Sequence, residues 1–147
     1  MSDTLHVVCP QCHATNRVQR ERLGDGARCG KCREALLPAA PYALDAAGFE
    51  RHLAGNDLPL VVDFWAAWCG PCRMMAPEYA KAAARLASRV RCAKLDTEAA
   101  PEFATRFGIR GIPTLIAFAG GREIARQSGA MDADAIVRWV EAHTVRA

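Results

Sequence analysis

Leu60-Val61-Val62-Asp63-Phe64-Trp65-Ala66-Ala67-Trp68-Cys69-Gly70-Pro71-Cys72 is the stretch that decides how this chain is read. Leu60 to Trp65 is almost wholly apolar, as expected of a strand buried on both faces of a parallel sheet. After Cys72, residues Met75, Tyr79, Ala82, Ala83 and Leu86 recur at helical spacing, with Lys81, Arg85 and Ser88 opposite. Two cysteines two residues apart at such a strand-to-helix junction suit dithiol–disulfide chemistry. The first turn of that helix points free N–H groups and the positive end of its dipole at Cys69. A thiolate is stabilised there, and thiolate is the reactive form. Pro71 suits the first turn, because its φ is fixed and its missing N–H is not needed.

Asp63 is the anomaly in the strand. A buried carboxylate without a partner is costly. Desolvation raises its pKa towards the working range of a proton carrier. Asp63 is therefore the candidate acid–base group for Cys72, acting directly or through a water. Lys94, in the apolar stretch Val90 to Leu95, is its candidate partner, provided the two strands are neighbours.

Cys9-Pro10-Gln11-Cys12 and Cys29-Gly30-Lys31-Cys32 form a second constellation, with sixteen residues between the pairs. Two such knuckles at that spacing read as a closed four-thiolate zinc site holding one ion. The segment has few large apolar residues, chiefly Val7, Val8, Val18 and Leu23. Too small to hold a core alone, it would draw much of its folding free energy from the metal. A rubredoxin-like iron site has the same ligands. Two disulfides would need an oxidising compartment. A second redox dithiol is disfavoured, since neither pair follows a buried strand. His6 and His13 lie close by and are expected to be solvated. The simplest role for the ion is structural; oxidant-driven loss of zinc is the regulatory alternative.

The dithiol stretch resembles the thioredoxin family. The resemblance runs from Val62 to Cys72 and on to Met75-Ala76-Pro77. It resumes at Phe107-Gly108-Ile109-Arg110-Gly111-Ile112-Pro113-Thr114, then at Gly120-Gly121-Arg122 and Ser128-Gly129-Ala130. It covers roughly residues 41–147, and the preceding segment resembles a zinc ribbon. Together they resemble the bacterial thioredoxin 2 group. The resemblance implies an α/β thioredoxin fold, a central mixed sheet flanked by helices, preceded by a small N-terminal zinc ribbon. It implies reduction of disulfides in other proteins, with Cys69 attacking, Cys72 resolving and Asp63 assisting. It implies a cis Ile112–Pro113 peptide, which an X-Pro bond makes affordable; read without it, Pro113 is an ordinary strand-leading proline. It also implies a substrate groove of Trp68, Gly70, Pro71, Gly111, Ile112, Pro113, Gly129 and Ala130. The implied electron source is NADPH–thioredoxin reductase, with no bound organic cofactor.

The expected organisation is a ribbon over 1–36, a linker over 37–41 and a thioredoxin domain over 42–147. Within the last, strands are expected at Tyr42 to Leu44, Val90 to Leu95, Thr114 to Phe118 and Glu123 to Gln127, the last two joined at Gly120-Gly121. Short helices are expected at Phe49 to Leu53 and Ala100 to Phe107, with a turn at Gly55-Asn56-Asp57. Pro77 predicts a kink in the long helix. Asp132 is expected to cap a final helix whose apolar side is Ile136, Val137, Trp139 and Val140. Cys92 reads as a small buried residue, Met74 as a residue able to touch a substrate, and His52 and His143 as surface residues.

Composition narrows the partners. The net charge is +3, with six Lys/Arg against four Asp/Glu in residues 1–34. Four thiolates on Zn²⁺ would bring that segment close to neutral, so a nucleic-acid partner is not expected. Met1 to His6 lacks a basic start and an apolar core, and no apolar run reaches the roughly 20 residues of a membrane helix. With an odd count of seven cysteines, the expectation is a reducing cytoplasm. Two other functions fit the same residues: a thiol oxidant or isomerase, separated by its redox potential, and a zinc-dependent holdase chaperone, which would survive loss of both Cys69 and Cys72.

Overall fold

The computed structural model describes residues 3–144. Strands β1 (Thr4–Val8) and β2 (Thr15–Gln19) pair antiparallel in a small hairpin. The larger part follows as β3 (Tyr42–Ala43), α1 (Ala46–Gly55), β4 (Leu60–Trp65), α2 (Gly70–Leu86), β5 (Arg91–Asp96), α3 (Pro101–Arg106), β6 (Thr114–Ala119), β7 (Arg122–Ser128) and α4 (Ala133–Thr144). Its five strands lie in the order β3-β5-β4-β6-β7. β3 and β4 run parallel to β5, β6 runs antiparallel to β4, and β7 antiparallel to β6. The sheet is thus mixed, parallel among β3, β5 and β4 and antiparallel where β6 and β7 are added.

Each face of the sheet is covered by its own pair of helices. Phe49 and Leu53 of α1 and Phe103 of α3 pack with Val62, Phe64 and Ile116 on one face. Met75, Tyr79 and Leu86 of α2 and Ile136, Val137 and Val140 of α4 pack with Val61, Leu115 and Ala117 on the other. This alternation explains why β4 and β6 read as continuous apolar runs. Pro77 lies inside α2, which continues through it as one helix. Asp132 caps α4, its carboxylate accepting from the Ala135 amide at 2.9 Å. Helix α1 is longer than its apolar pattern suggests, because Asp45 caps it by accepting from the Gly48 amide at 2.7 Å. Cys92 is buried, and His143 is exposed, as read from sequence.

The ribbon is seated on the larger body by polar groups that sequence did not reveal. Arg91, only 2 % exposed, starts β5. Its guanidinium donates to Val8 O at 3.2 Å, Asn56 Oδ1 at 2.8 Å and Leu36 O at 2.7 Å. Two of those acceptors belong to the ribbon. Asn56 also accepts from the Val8 amide at 2.9 Å and donates to His52 Nδ1 at 3.3 Å. That fixes Nδ1 of His52 as an acceptor, so its Nε2–H donates to His13 Nδ1 at 3.3 Å. The expectation for His52 is therefore corrected: it is fully buried, its ring enclosed by this network and beside Tyr42. Burial, Arg91 and His13 together hold its pKa down to about 3, so it is neutral. His13 faces His52, whereas His6 is exposed and pairs with Asp57.

Two glycines make room for the contact. A Cβ on Gly55 would fall 2.7 Å from Val8 Cγ2, and one on Gly48 would fall 2.6 Å from His13 Cε1. Leu58, in the loop before β4, joins Leu5, Val7, Val18, Leu23 and Leu36 in the ribbon's apolar cluster. The small segment thus borrows part of its core.

Replacing Arg91 with Met would take a donor from Val8 O and Leu36 O and leave Asn56 Oδ1 with the Val8 amide alone. Each unsatisfied buried group costs about 1–3 kcal/mol. The expected loss is about 2–4 kcal/mol in urea unfolding, with faster proteolysis between residues 37 and 41 as the ribbon loosens.

Candidate functional site

Strand β4 ends at Trp65, and the chain turns sharply, the Cys69 amide donating to Ala66 O at 3.1 Å. Cys69 then caps α2, its sulfur accepting from the Cys72 amide at 3.2 Å. A helix N-terminus therefore points at Cys69, as the sequence requires. Cys69 and Cys72 are joined as a disulfide with their Cα atoms 5.2 Å apart.

Exposure does not separate the two cysteines, at 4 % for Cys69 and 3 % for Cys72. The spaces they line do. Cys69 opens on an outer groove of about 410 Å³ with Trp68, Gly70, Pro71, Ile109, Arg110, Gly111 and Ile112. Cys72 lines an inner chamber of about 150 Å³ with Asp63, Lys94 and Tyr79. The disulfide forms part of the wall of each.

In the chamber, Asp63 is 4 % exposed. Among the described residues, its Oδ1 is the one buried side-chain oxygen without a hydrogen-bond partner. Burial pushes its pKa up to about 7, against the nearby Lys94 ammonium, which lowers it. The assumed strand adjacency holds: Asp63 and Lys94 are paired across β4 and β5. Lys94 also stands 5.0 Å from the centre of the Trp65 ring. The chamber far exceeds the roughly 10–15 Å³ that one water needs.

On the groove side, Ile112–Pro113 is a cis peptide. Ile112 O lies 3.6 Å from the Cys69 sulfur. The loop is held by Thr114, whose hydroxyl donates to Gly111 O at 2.6 Å. Gly129, at a left-handed φ of 100°, donates its amide to Pro113 O at 2.9 Å. Of the expected groove residues, Trp68, Gly70, Pro71, Gly111 and Ile112 line the cavity. Pro113 is buried beneath it, Gly129 supports it from just past the end of β7, and Ala130 is an exposed neighbour. Thr97, Ala104, Ile109 and Arg110 also line the groove and were not singled out from sequence. Ile109 and Arg110 sit in the same motif as Ile112-Pro113 and were within reach; Thr97 and Ala104 are brought there by folding alone.

The second constellation also assembles. The sulfurs of Cys9, Cys12, Cys29 and Cys32 all lie within 4.8 Å of one another. The closest pairs, Cys9–Cys32 and Cys12–Cys29, are 3.5 and 3.6 Å apart. Around a tetrahedral ion with bonds of about 2.3 Å, sulfurs stand about 3.8 Å apart. The two knuckles repeat one design. Gln11 and Lys31 donate amides to Cys9 and Cys29 sulfurs at 3.3 and 3.4 Å. His13 and Arg33, each just after a knuckle, take left-handed φ values of 65° and 71°. Amide donors aimed at sulfur favour thiolate. The Cys32 amide and then Asn16 hold the Cys29 thiol down to about 6. Cys32, although its neighbour Glu34's amide lowers it, is pushed up to about 12 by burial and the other thiols. Four clustered thiolates need a cation between them, and a soft divalent ion fits this donor set.

Comparison with known proteins gives a family for each part of the chain. Residues 40–142 match the family model described as Thioredoxin, and residues 8–34 match that described as Thioredoxin 2, N-terminal. The chain belongs to the thioredoxin family. It is 42% identical over 135 residues to thioredoxin C-3 of Corynebacterium nephridii, covering 92% of each chain. It is 49% identical over 90 residues to a thioredoxin of Alicyclobacillus acidocaldarius, covering 61% of this chain and 85% of that one. A solved mutant thioredoxin from Halobacterium salinarum superposes with a TM-score of 0.64 at 31% identity, over 75% of this chain and 96% of the other. Family membership makes the chain a protein-disulfide oxidoreductase with a zinc-ribbon domain. Among the described residues no helix is long and apolar enough to cross a membrane.

The Asp63 shift carries a stability prediction with a definite sign. Its folded pKa of about 7 lies above the ordinary 3.8. Between those pH values the folded state binds the extra proton, so stability falls as pH rises through the window. At about 1.36 kcal/mol per unit, the cost at pH 8 is on the order of 4 kcal/mol. Asp63→Asn is therefore expected to raise the urea midpoint at pH 8 and to lose that advantage near pH 4.

Proposed function

We propose that the chain reduces disulfides in other proteins by a two-step exchange. The supporting observation is that Cys69 and Cys72 line different spaces. The Cys69 thiolate attacks a substrate disulfide in the groove. One S–S bond forms to Cys69, the substrate bond breaks, and one substrate sulfur leaves as thiolate. The Cys72 thiol gives its proton to the Asp63 carboxylate through water in the chamber. The Cys72 thiolate then attacks the Cys69 sulfur and expels the second substrate thiolate. Two electrons pass to the substrate, whose two thiolates take up protons from Asp63 and from solvent, and the Cys69–Cys72 disulfide remains. Lys94 tempers the Asp63 shift, so that the carboxylate is a usable acceptor near neutral pH.

An extended substrate backbone fits the groove by pairing with Ile112, the residue before the cis proline. Trp68, exposed at 67 %, offers it an apolar wall with Gly70, Pro71 and Gly111, while Pro113, Gly129 and Ala130 hold the facing loop. The dithiol is recharged by thioredoxin reductase drawing on NADPH, in a reducing cytoplasm. Cys9, Cys12, Cys29 and Cys32 would hold one zinc ion that keeps the ribbon folded. The domain assignment is a ribbon over 1–36, a linker over 37–41 and a thioredoxin domain over 42–147.

Insulin reduction, followed as NADPH oxidation with thioredoxin reductase, tests the reading. Sustained turnover is expected, with none in Cys69→Ser. Cys72→Ser is expected to accumulate mixed disulfides through Cys69; trapping through Cys72 in Cys69→Ser would reverse the assignment. Displacing the metal with a mercurial and chelator is expected to release one zinc per chain and to lose ribbon amide signals while the β4–β6 core persists.

A further inference from the structure

The linker ends in a residue that does more than connect. Pro41 lines the Asp63 chamber together with Cys72, Arg73, Ala76, Tyr79 and Lys94. It comes from neither the strands nor the helix that carry the reacting groups. Its position is fixed from both sides. Towards the C-terminus, Tyr42 pairs with Ala93, and the Leu44 amide donates to Lys94 O at 2.9 Å. The Tyr42 hydroxyl contacts His52 Nδ1 at 3.2 Å, and the Arg91 guanidinium lies 5.2 Å from the centre of its ring. Towards the N-terminus, Leu36 O accepts from the same guanidinium. Residues 37–41 are thus strung between two points held by one arginine.

We propose that Pro41 closes the Asp63 chamber to bulk water and is a positioning residue for proton transfer from Cys72. This rests on Asp63 being the proton acceptor. Pro41 suits the part chemically. Its ring is apolar and it has no N–H, so it adds no donor that would solvate the carboxylate. The other groups facing Asp63 can be enumerated. Lys94 comes from β5, while Cys72, Arg73 and Tyr79 come from α2. The Tyr79 hydroxyl is committed to Val61 O and Ala93 O at 3.2 and 2.8 Å. On β6 the paired residue is Leu115, which is apolar. Within this set, the linker supplies the wall contributed from outside the sheet and α2. The seating of the ribbon thereby reaches the acid–base chemistry through five residues of backbone rather than through the sheet.

The test uses the full chain in its oxidised form, so that Asp63 titrates without a coupled thiol. The ¹³C shift of the Asp63 carboxyl is followed against pH in the parent and in Pro41→Gly, Pro41→Ala and Pro41→Val. The pH profile of kcat/KM for insulin reduction is measured in parallel, with Asp63→Asn as reference. Opening the wall with Gly or Ala is expected to lower the Asp63 midpoint by about one unit and to move the pH profile with it. Val, which restores an apolar wall, is expected to keep both near the parent. A midpoint unmoved in both Gly and Ala would overturn the proposal, while loss of the pH dependence in Asp63→Asn would still uphold Asp63 as acceptor. A shifted midpoint with an unshifted profile would instead overturn Asp63 as acceptor, and with it the positioning role of Pro41.

Discussion

One guanidinium holds the two halves of this molecule together. Arg91 is buried with no carboxylate beside it; its hydrogen bonds go to two carbonyl oxygens and one side-chain amide. Such an arrangement is tolerable because the acceptors' dipoles converge on the charge and satisfy its N–H donors. Its consequences radiate outward. The acceptors in the ribbon fix where that segment sits. Asn56 passes the constraint to His52 and so to His13, one residue after the Cys9–Cys12 knuckle. Leu36 and Tyr42, held from the same point, determine the course of the linker.

The dithiol separates its two tasks by direction. The groove side needs access to a large partner, and the chamber side needs exclusion of solvent so that a carboxylate keeps a proton near neutral pH. A disulfide standing in the wall between them serves both without either cysteine being very exposed. The helix N-terminus favours negative charge on Cys69, and the raised Asp63 favours removal of a proton from the other side. On the proposed role of Asp63, the stability lost by burying it is a cost of function borne by the fold.

Much of this was legible in the chain. The apolar run with one acid, the dithiol at a helix start and the paired knuckles each have a local cause that spacing records. The adjacency of Asp63 and Lys94 was an assumption of the sequence reading, and the parallel pairing of β4 with β5 bears it out. What stayed hidden was the seam. Arg91 opens an apolar strand and resembles an ordinary charged end; only the arrival of Val8 and Leu36 buries it. His52 on a short amphipathic helix looks like a surface residue until another domain lies on that face. Gly48 and Gly55 were the available signal, since a helix that keeps glycine at both positions is making room for something. The roles of Thr97 and Ala104 depend on which loop meets the groove, and no periodicity encodes that.

The sheet order has a further consequence for self-association. A protein built to accept an extended chain against one loop must not offer its sheet margins to other strands. Here β3, at one margin, is only two residues long. At the other, β7 is mostly exposed and carries Arg122, Glu123, Arg126 and Gln127. Brevity on one side and charge on the other both discourage edge-to-edge growth. On the proposed mechanism, the five-stranded sheet thereby leaves backbone recognition to the Ile112–Pro113 loop beside the dithiol.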